Sequence, residues 1–182
     1  IIELFMKWNS IIKERAMAAF DLHEISIGSG TVALCQLPGR NGDYASDFNR
    51  IVGWKPDLVI TLTEAHEMIE FGVGDFGSDL QAQGVAWTAW PVRDYAVPDV
   101  TQAELTASIK KEASSILKGA GRILVHCKGG CGRTGMVVLS FMVAAGEDSD
   151  AGLIRLRAVR PCAVETDEQR AWAGYQAGNP SY

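Results

Sequence analysis

The sequence predicts an α/β domain with a central, mixed but mostly parallel sheet of about five strands, covered by helices on both faces. Three observations lead there. Short β-like runs at 24–27, 31–35, 57–62, 85–90 and 122–127 alternate with segments of helical periodicity. The last run, Arg-Ile-Leu-Val-His-Cys, is almost continuously apolar, as a strand covered on both faces must be. Gly28-Ser29-Gly30 between the first two runs marks a hairpin, hence one antiparallel pair in an otherwise parallel arrangement.

The helices follow in order. Ile1, Leu4, Phe5, Trp8, Ile11 and Ile12 fall at helical spacing, so residues 1–20 read as an amphipathic N-terminal helix. It would pack on the domain, or lie on a membrane surface or a dimer partner. Met17 offers an alternative start that would make residues 1–16 dispensable. A breaker-rich loop at 37–42 leads to a helix at 43–52. Thr63 is an N-cap for the next helix, with Glu64 and Glu67 in its first turn. A short helix is expected at 75–83. Thr101-Gln102-Ala103-Glu104 is a capping box opening a long helix to 118, ended by Gly119-Ala120-Gly121. Residues 136–145 form a buried helix, and two more are expected at 150–160 and 166–175. No repeat or linker divides the chain, so residues 21–182 are expected to be one domain.

Composition narrows the function classes. The chain has 182 residues, 47% hydrophobic and 21% charged, enough for a single core. Its formal charge is -5, without a basic run, so no nucleic-acid surface is expected. Cys35, Cys127, Cys131 and Cys162 show neither a disulfide framework nor zinc-ligand spacing. This predicts a reduced, intracellular, cytoplasmic protein with no metal or cofactor. Apolar stretches fall far short of the roughly 20 residues that span a bilayer, so a soluble protein without membrane contact is expected.

The chemistry concentrates in His126-Cys127-Lys128-Gly129-Gly130-Cys131-Gly132-Arg133-Thr134-Gly135. The glycines Gly129, Gly130 and Gly132 let the backbone curl and point successive N–H groups at one centre. A helix starting near Arg133 adds unpaired amides and a positive dipole end. Arg133 supplies a planar fork for two oxygens of a tetrahedral dianion. Cys127 stands at the mouth of that positive cavity, where the features that bind the anion also favour the thiolate nucleophile.

The Cys127, five-residue, Arg133-Thr134-Gly135 arrangement resembles the signature of the protein tyrosine phosphatase superfamily. The run from Trp90 to Asp99 resembles the acid loop of its small dual-specificity members. Leu34-Cys35-Gln36-Leu37-Pro38-Gly39 is similar to the region ahead of the core in the kinase-associated phosphatase branch. The segment from Arg160 to Gln169 is similar to a downstream stretch of atypical dual-specificity phosphatases. The resemblance covers roughly residues 25–177.

It implies a cysteine phosphatase fold and a phosphomonoester hydrolase working through a cysteinyl-phosphate. Cys127 is the nucleophile. Arg133 and the amides of Lys128, Gly129, Gly130, Cys131, Gly132 and Arg133 hold the phosphoryl oxygens. Asp94 is the general acid, a carboxylate that could then activate water for hydrolysis of the intermediate, and Thr134 donates a hydrogen bond to the sulfur. Asp99 is the rival acid, with the alternative role of complementing a helix start. His126 is expected to support the loop by a hydrogen bond to its backbone, its side chain facing away from that of Cys127. Gln169 either orients the hydrolytic water or is a helix-surface amide. Arg93 either faces anionic substrate or is merely exposed, and His23 and His66 have no evident partner.

Lys128 resembles the loop lysine of inositol-lipid phosphatases, which carry a second basic residue where this chain has Cys131. Cys131 either packs beneath the loop or forms a reversible disulfide with Cys127. Expected partners are a phosphorylated protein or small phosphomonoester, with phosphate, sulfate or vanadate as active-site ligands. Two other cysteine–arginine enzyme types, arsenate reductase and sulfurtransferase, and a non-catalytic phosphate-binding module are the competing classes.

Overall fold

The computed structural model describes residues 20–175. The predicted helix at 1–20 lies, but for Phe20, outside the described residues. Five strands form one sheet in the order β1-β2-β5-β3-β4: β1 (His23–Ile27), β2 (Gly30–Gln36), β3 (Leu58–Thr61), β4 (Ala86–Ala89) and β5 (Arg122–Cys127). The β1–β2 hairpin is antiparallel, and β2–β5, β5–β3 and β3–β4 are parallel, so the mixed, mostly parallel sheet is as expected.

Side-chain alternation divides this sheet between two cores. Val32, Leu34, Leu58, Ile60, Ile123, Val125 and Cys127 belong to one, and Ala33, Cys35, Val59 and Leu124 to the other. The first core is closed by α4 (Ala103–Lys118), α5 (Gly132–Ala144), α6 (Ser149–Val159) and α7 (Asp167–Gly174). The second is closed by α1 (Tyr44–Trp54), α2 (Ala65–Glu70) and α3 (Phe76–Ala82). α5 is buried from Gly132 to Val143, which explains its lack of an amphipathic stripe.

Several element boundaries move. α5 begins at Gly132, inside the glycine loop, four residues before the apolar run that revealed it. α2 is capped at Glu64, not Thr63, and the Glu64 N–H donates to Glu67 Oε2 at 2.9 Å. The predicted capping box at Thr101 is displaced by one at Asp99 and Gln102, which opens a 3-10 turn (Val100–Gln102) before α4. The Asp99 carboxylate accepts from both the amide and the hydroxyl of Thr101.

The parallel topology puts the C-terminal ends of β2, β3, β4 and β5 at one edge, where open α/β sheets bind ligands. Beyond β4, Trp90 and Val92 donate N–H groups to Thr61 and Leu62, which fixes the direction in which the following loop leaves. Ile123 is fully buried in β5, opposite Val32 and Leu58, whereas Ile154 is 74% exposed. Ile123→Ala is therefore expected to lower unfolding free energy in urea by about 2–5 kcal/mol, and Ile154→Ala by less than about 0.5. Similar losses for the two would contradict this placement of the core.

Candidate active site

The loop between β5 and α5 is ordered by where its carbonyls go. Lys128 C=O accepts from the Leu37 N–H at 3.3 Å, and Cys131 C=O from the Gly135 N–H at 2.7 Å. Gly129 and Gly130 carbonyls accept from Arg160 at 2.8 and 3.2 Å. In a planar trans peptide the N–H points opposite to the C=O. Four carbonyls tied outward therefore turn the amides of Gly129, Gly130, Cys131 and Gly132 inward. Gly130 makes the curl possible: its φ is +67°, and a Cβ there would sit 2.5 Å from the Cys35 carbonyl.

Arg133 is 1% exposed, with its fork held from two sides. Glu67, from α2, accepts from Nη1 at 2.6 Å and from Nη2 at 2.8 Å, and Val92 C=O also accepts from Nη1. Burial alone would disfavour both charges. The hydrogen bonds outweigh it, moving the Arg133 pKa up and holding Glu67 below its ordinary 4.5. Asp94 Oδ1 lies 3.1 Å from Nη2, and Arg133 Nε is buried without a partner among the described residues. The edge of the guanidinium formed by Nε and Nη2 is thus the one not closed off by Glu67.

Cys127 is a free, buried thiol at the end of β5. It lines a cleft of about 480 Å³ with Asp94, Lys128 and Gly132, and Arg40, Tyr95 and Glu165 stand around them. Tyr95 has φ +59° and is 60% exposed, and its N–H donates to Asp94 Oδ1, which orients the carboxylate. Thr134 is fully buried on the first turn of α5, its hydroxyl unpartnered among the described residues.

Other sequence-predicted residues stand elsewhere or do something else. The His126 side chain lies in the second core against Phe76, shares a 2.7 Å hydrogen bond with Thr61 Oγ1, and also interacts with the Cys127 backbone at the start of the loop. Burial pushes its pKa down to about 3, so it is neutral. Gln169 is not a surface amide: it is fully buried, its Oε1 accepts from the Glu165 N–H and its Nε2 donates to Ala96 C=O. Lys128 turns to Glu70 at 3.4 Å and lies over Phe71. Arg93 and His66 are exposed.

The cysteines require a correction. Cys131 is bonded to Cys162, not set against Cys127 and not merely packed as a thiol. A protein without disulfides was expected because no spacing pattern pairs these two. The turn after α6 nevertheless brings their Cα atoms, 31 residues apart in sequence, to 5.2 Å.

Two contributors were missed. Glu67 had been read only as a helix-start acid, though its partner is 66 residues away. Arg160 had no assigned role: its Nη1 stands 3.0 Å from His23 Nε2 while its other nitrogens brace the loop. Burial, with the Arg160 charge, lowers the His23 pKa, so the neutral ring can accept.

The sequence profile of the family Tc-R-P, described as "Polymorphic toxin system, DSP-PTPase phosphatase", matches residues 35–147. The chain belongs to this family. The phosphatase also shares its fold with solved members of the wider superfamily. One is kinase associated phosphatase with its catalytic-site cysteine replaced by serine: 20% identity, TM-score 0.75, covering 85% of this chain and 92% of that one. Tk-PTP in its active form is 26% identical with a TM-score of 0.61, covering 78% and 87%. PTPMT1 in complex with PI(5)P is 17% identical with a TM-score of 0.62, covering 84% and 92%. No curated protein sequence matches the chain significantly. Among the described residues, no helix of this phosphatase is long and apolar enough to cross a membrane.

Two outcomes test the geometry. Below pH 4.5 the unfolded chain takes up a proton before Glu67 does in the folded state, so the pair's contribution fades as pH falls through the folded value. Glu67→Gln should therefore lower stability at neutral pH and flatten the stability slope below pH 4.5. An unchanged slope in urea titrations would contradict the pair. Arg160→Ala leaves Cys127, Arg133 and Asp94 in place. It should weaken inhibition by vanadate about tenfold or more, the worth of charge-assisted hydrogen bonds to the loop, and an unchanged inhibition constant would count against the brace.

Proposed function

We propose that this phosphatase hydrolyses phosphomonoesters through a cysteinyl-phosphate on Cys127, with Asp94 as proton donor and aryl phosphates, phosphotyrosine foremost, as its substrates. The observation that carries the residue assignment is the convergence of four inward amides and the Nε–Nη2 edge of Arg133 on the cleft of Cys127. That cavity suits the equatorial oxygens of a phosphoryl group in transfer, where charge is spread over them.

A bound phosphoryl group takes the Arg133 edge and displaces Asp94 from Nη2. The Asp94 carboxyl then faces the bridging oxygen. Cys127 Sγ attacks phosphorus, the bond to the leaving oxygen breaks, and Asp94 gives that oxygen its proton. Thr134 Oγ1, with no other partner among the described residues, is the hydroxyl available to support the thiolate. Asp99 is already engaged by Thr101, which supports Asp94 over it.

Aryl phosphate is favoured over a polyanionic lipid head group by what the loop cation does. Lys128 is paired with Glu70, and Cys131 is disulfide-bonded, so the loop presents no free side-chain cation besides Arg133 to additional phosphates. The formal charge of -5 likewise favours no nucleic acid as partner. Phosphate, sulfate and vanadate are expected as active-site ligands. We place the action in a cytoplasm, where phosphorylated substrates reside, although the Cys131–Cys162 disulfide is of the kind formed in an oxidising compartment. A toxin-system family adds the inference that this cytoplasm is that of a target cell.

The test is hydrolysis of a chromogenic aryl phosphate, with a phosphotyrosine peptide and a phosphoinositide alongside. Cys127→Ser should abolish turnover. Asp94→Ala should cut it by about 10²–10⁴-fold, and Asp99→Ala should change it little. Full activity of Cys127→Ser, or equal losses at Asp94 and Asp99, would overturn the assignment.

A further inference from the structure

The active-site cleft holds a second carboxylate that the reaction as described does not use. Glu165 lines the same cleft as Cys127, Asp94 and Gly132. Its Oε2 stands where a Cβ on Gly132 would be, directly beside a residue whose amide faces the phosphoryl site. Its carboxylate has no hydrogen-bond or ion-pair partner among the described residues.

The backbone that carries Glu165 is held on every side. Its own N–H donates to Gln169 Oε1. The two preceding carbonyls, of Ala163 and Val164, accept from Arg157 at 3.0 and 2.8 Å. Cys162, three residues before it, is tied to the loop by the disulfide. Val164 sits at φ +63°, a left-handed conformation that a β-branched residue adopts only when its surroundings impose it. A Cβ on Gly135 would strike the Val164 amide at 2.6 Å, so the segment is seated against α5 itself. Glu165 is itself exposed where the cleft opens, yet an ordinary surface glutamate needs no such anchoring of its backbone. The segment fixes the direction of one side chain, and that direction is into the cleft.

Gln169, the sequence-based candidate for orienting water, has both amide atoms engaged. Its work is to hold the Glu165 backbone. We propose that Glu165 is the catalytic base of the second step, the hydrolysis of the cysteinyl-phosphate; this rests on the phosphatase mechanism above. After the leaving group departs, water enters beside Glu165. The water oxygen attacks phosphorus and its proton passes to the Glu165 carboxylate. The S–P bond breaks with its electron pair returning to Cys127 Sγ, phosphate leaves, and Glu165 releases the proton to solvent. Two carboxylates thus divide the work, Asp94 giving a proton in the first step and Glu165 taking one in the second.

This division has a kinetic signature. kcat/KM reports events up to formation of the phosphoenzyme, whereas kcat also contains its breakdown. Glu165→Gln keeps size and polarity but cannot take the proton. With a chromogenic aryl phosphate, it should lower kcat about 10²-fold and lower KM in parallel, leaving kcat/KM unchanged. Rapid mixing should show a burst of one phenolate per enzyme followed by slow turnover. Equal losses in kcat and kcat/KM without a burst, or unchanged kinetics, would overturn the proposal. An intact burst also shows that the variant is folded, and Glu165→Asp should restore part of kcat. Wild-type enzyme inactive on the aryl phosphate would instead sink the mechanism on which the proposal rests.

Discussion

Several amides can converge on one point only if the carbonyls of the same peptides are held elsewhere, and that constraint organises this structure. A loop of mostly glycine has no side chains to define its shape, so its outer surface must be defined by partners. Leu37 at the end of β2, Arg160 at the end of α6 and the first turn of α5 supply them. The sheet topology makes this possible, because β2 and β3 flank β5 and deliver their ends to the same edge.

The electrostatics follow the same logic. A buried arginine is costly unless paired, and Glu67 pairs it through two hydrogen bonds on the side away from the ligand. The remaining edge, with Nε unpartnered among the described residues, is the one proposed to take an anion. Asp94 touches that edge from the exposed side, so the carboxylate proposed as the acid is held by the group proposed to bind the phosphoryl oxygens. The 160–165 segment closes the site: Arg160 and Cys162 fix the loop from outside while Glu165 faces inside.

What was legible in the sequence is what is encoded locally. The apolar strand Arg122–Cys127, the glycine turn, the cysteine–arginine spacing and the helix beyond are all contiguous, and strand alternation placed His126 and Cys127 on opposite faces. The helix ends slipped where two caps competed within a few residues, as at Thr63 against Glu64 and Thr101 against Asp99. Long-range partners were not legible. Glu67 and Arg133, Arg160 and the loop carbonyls, and Cys131 and Cys162 are joined by topology across many residues, and no periodicity connects them. The surface-amide alternative for Gln169 fails for the same reason: polar on a helix, it is nonetheless buried because α7 packs against α5 and the loop after β4.

The central claim is that phosphorus is transferred to Cys127 before it reaches water. Its most direct measurement is acid quenching of the enzyme during turnover of a radiolabelled phosphomonoester, followed by peptide mapping. The account predicts phosphate bound through sulfur on the peptide containing Cys127, at a level that rises when breakdown is slowed. An enzyme that turns over at full rate with no label on that peptide, or with label on another residue, would contradict it.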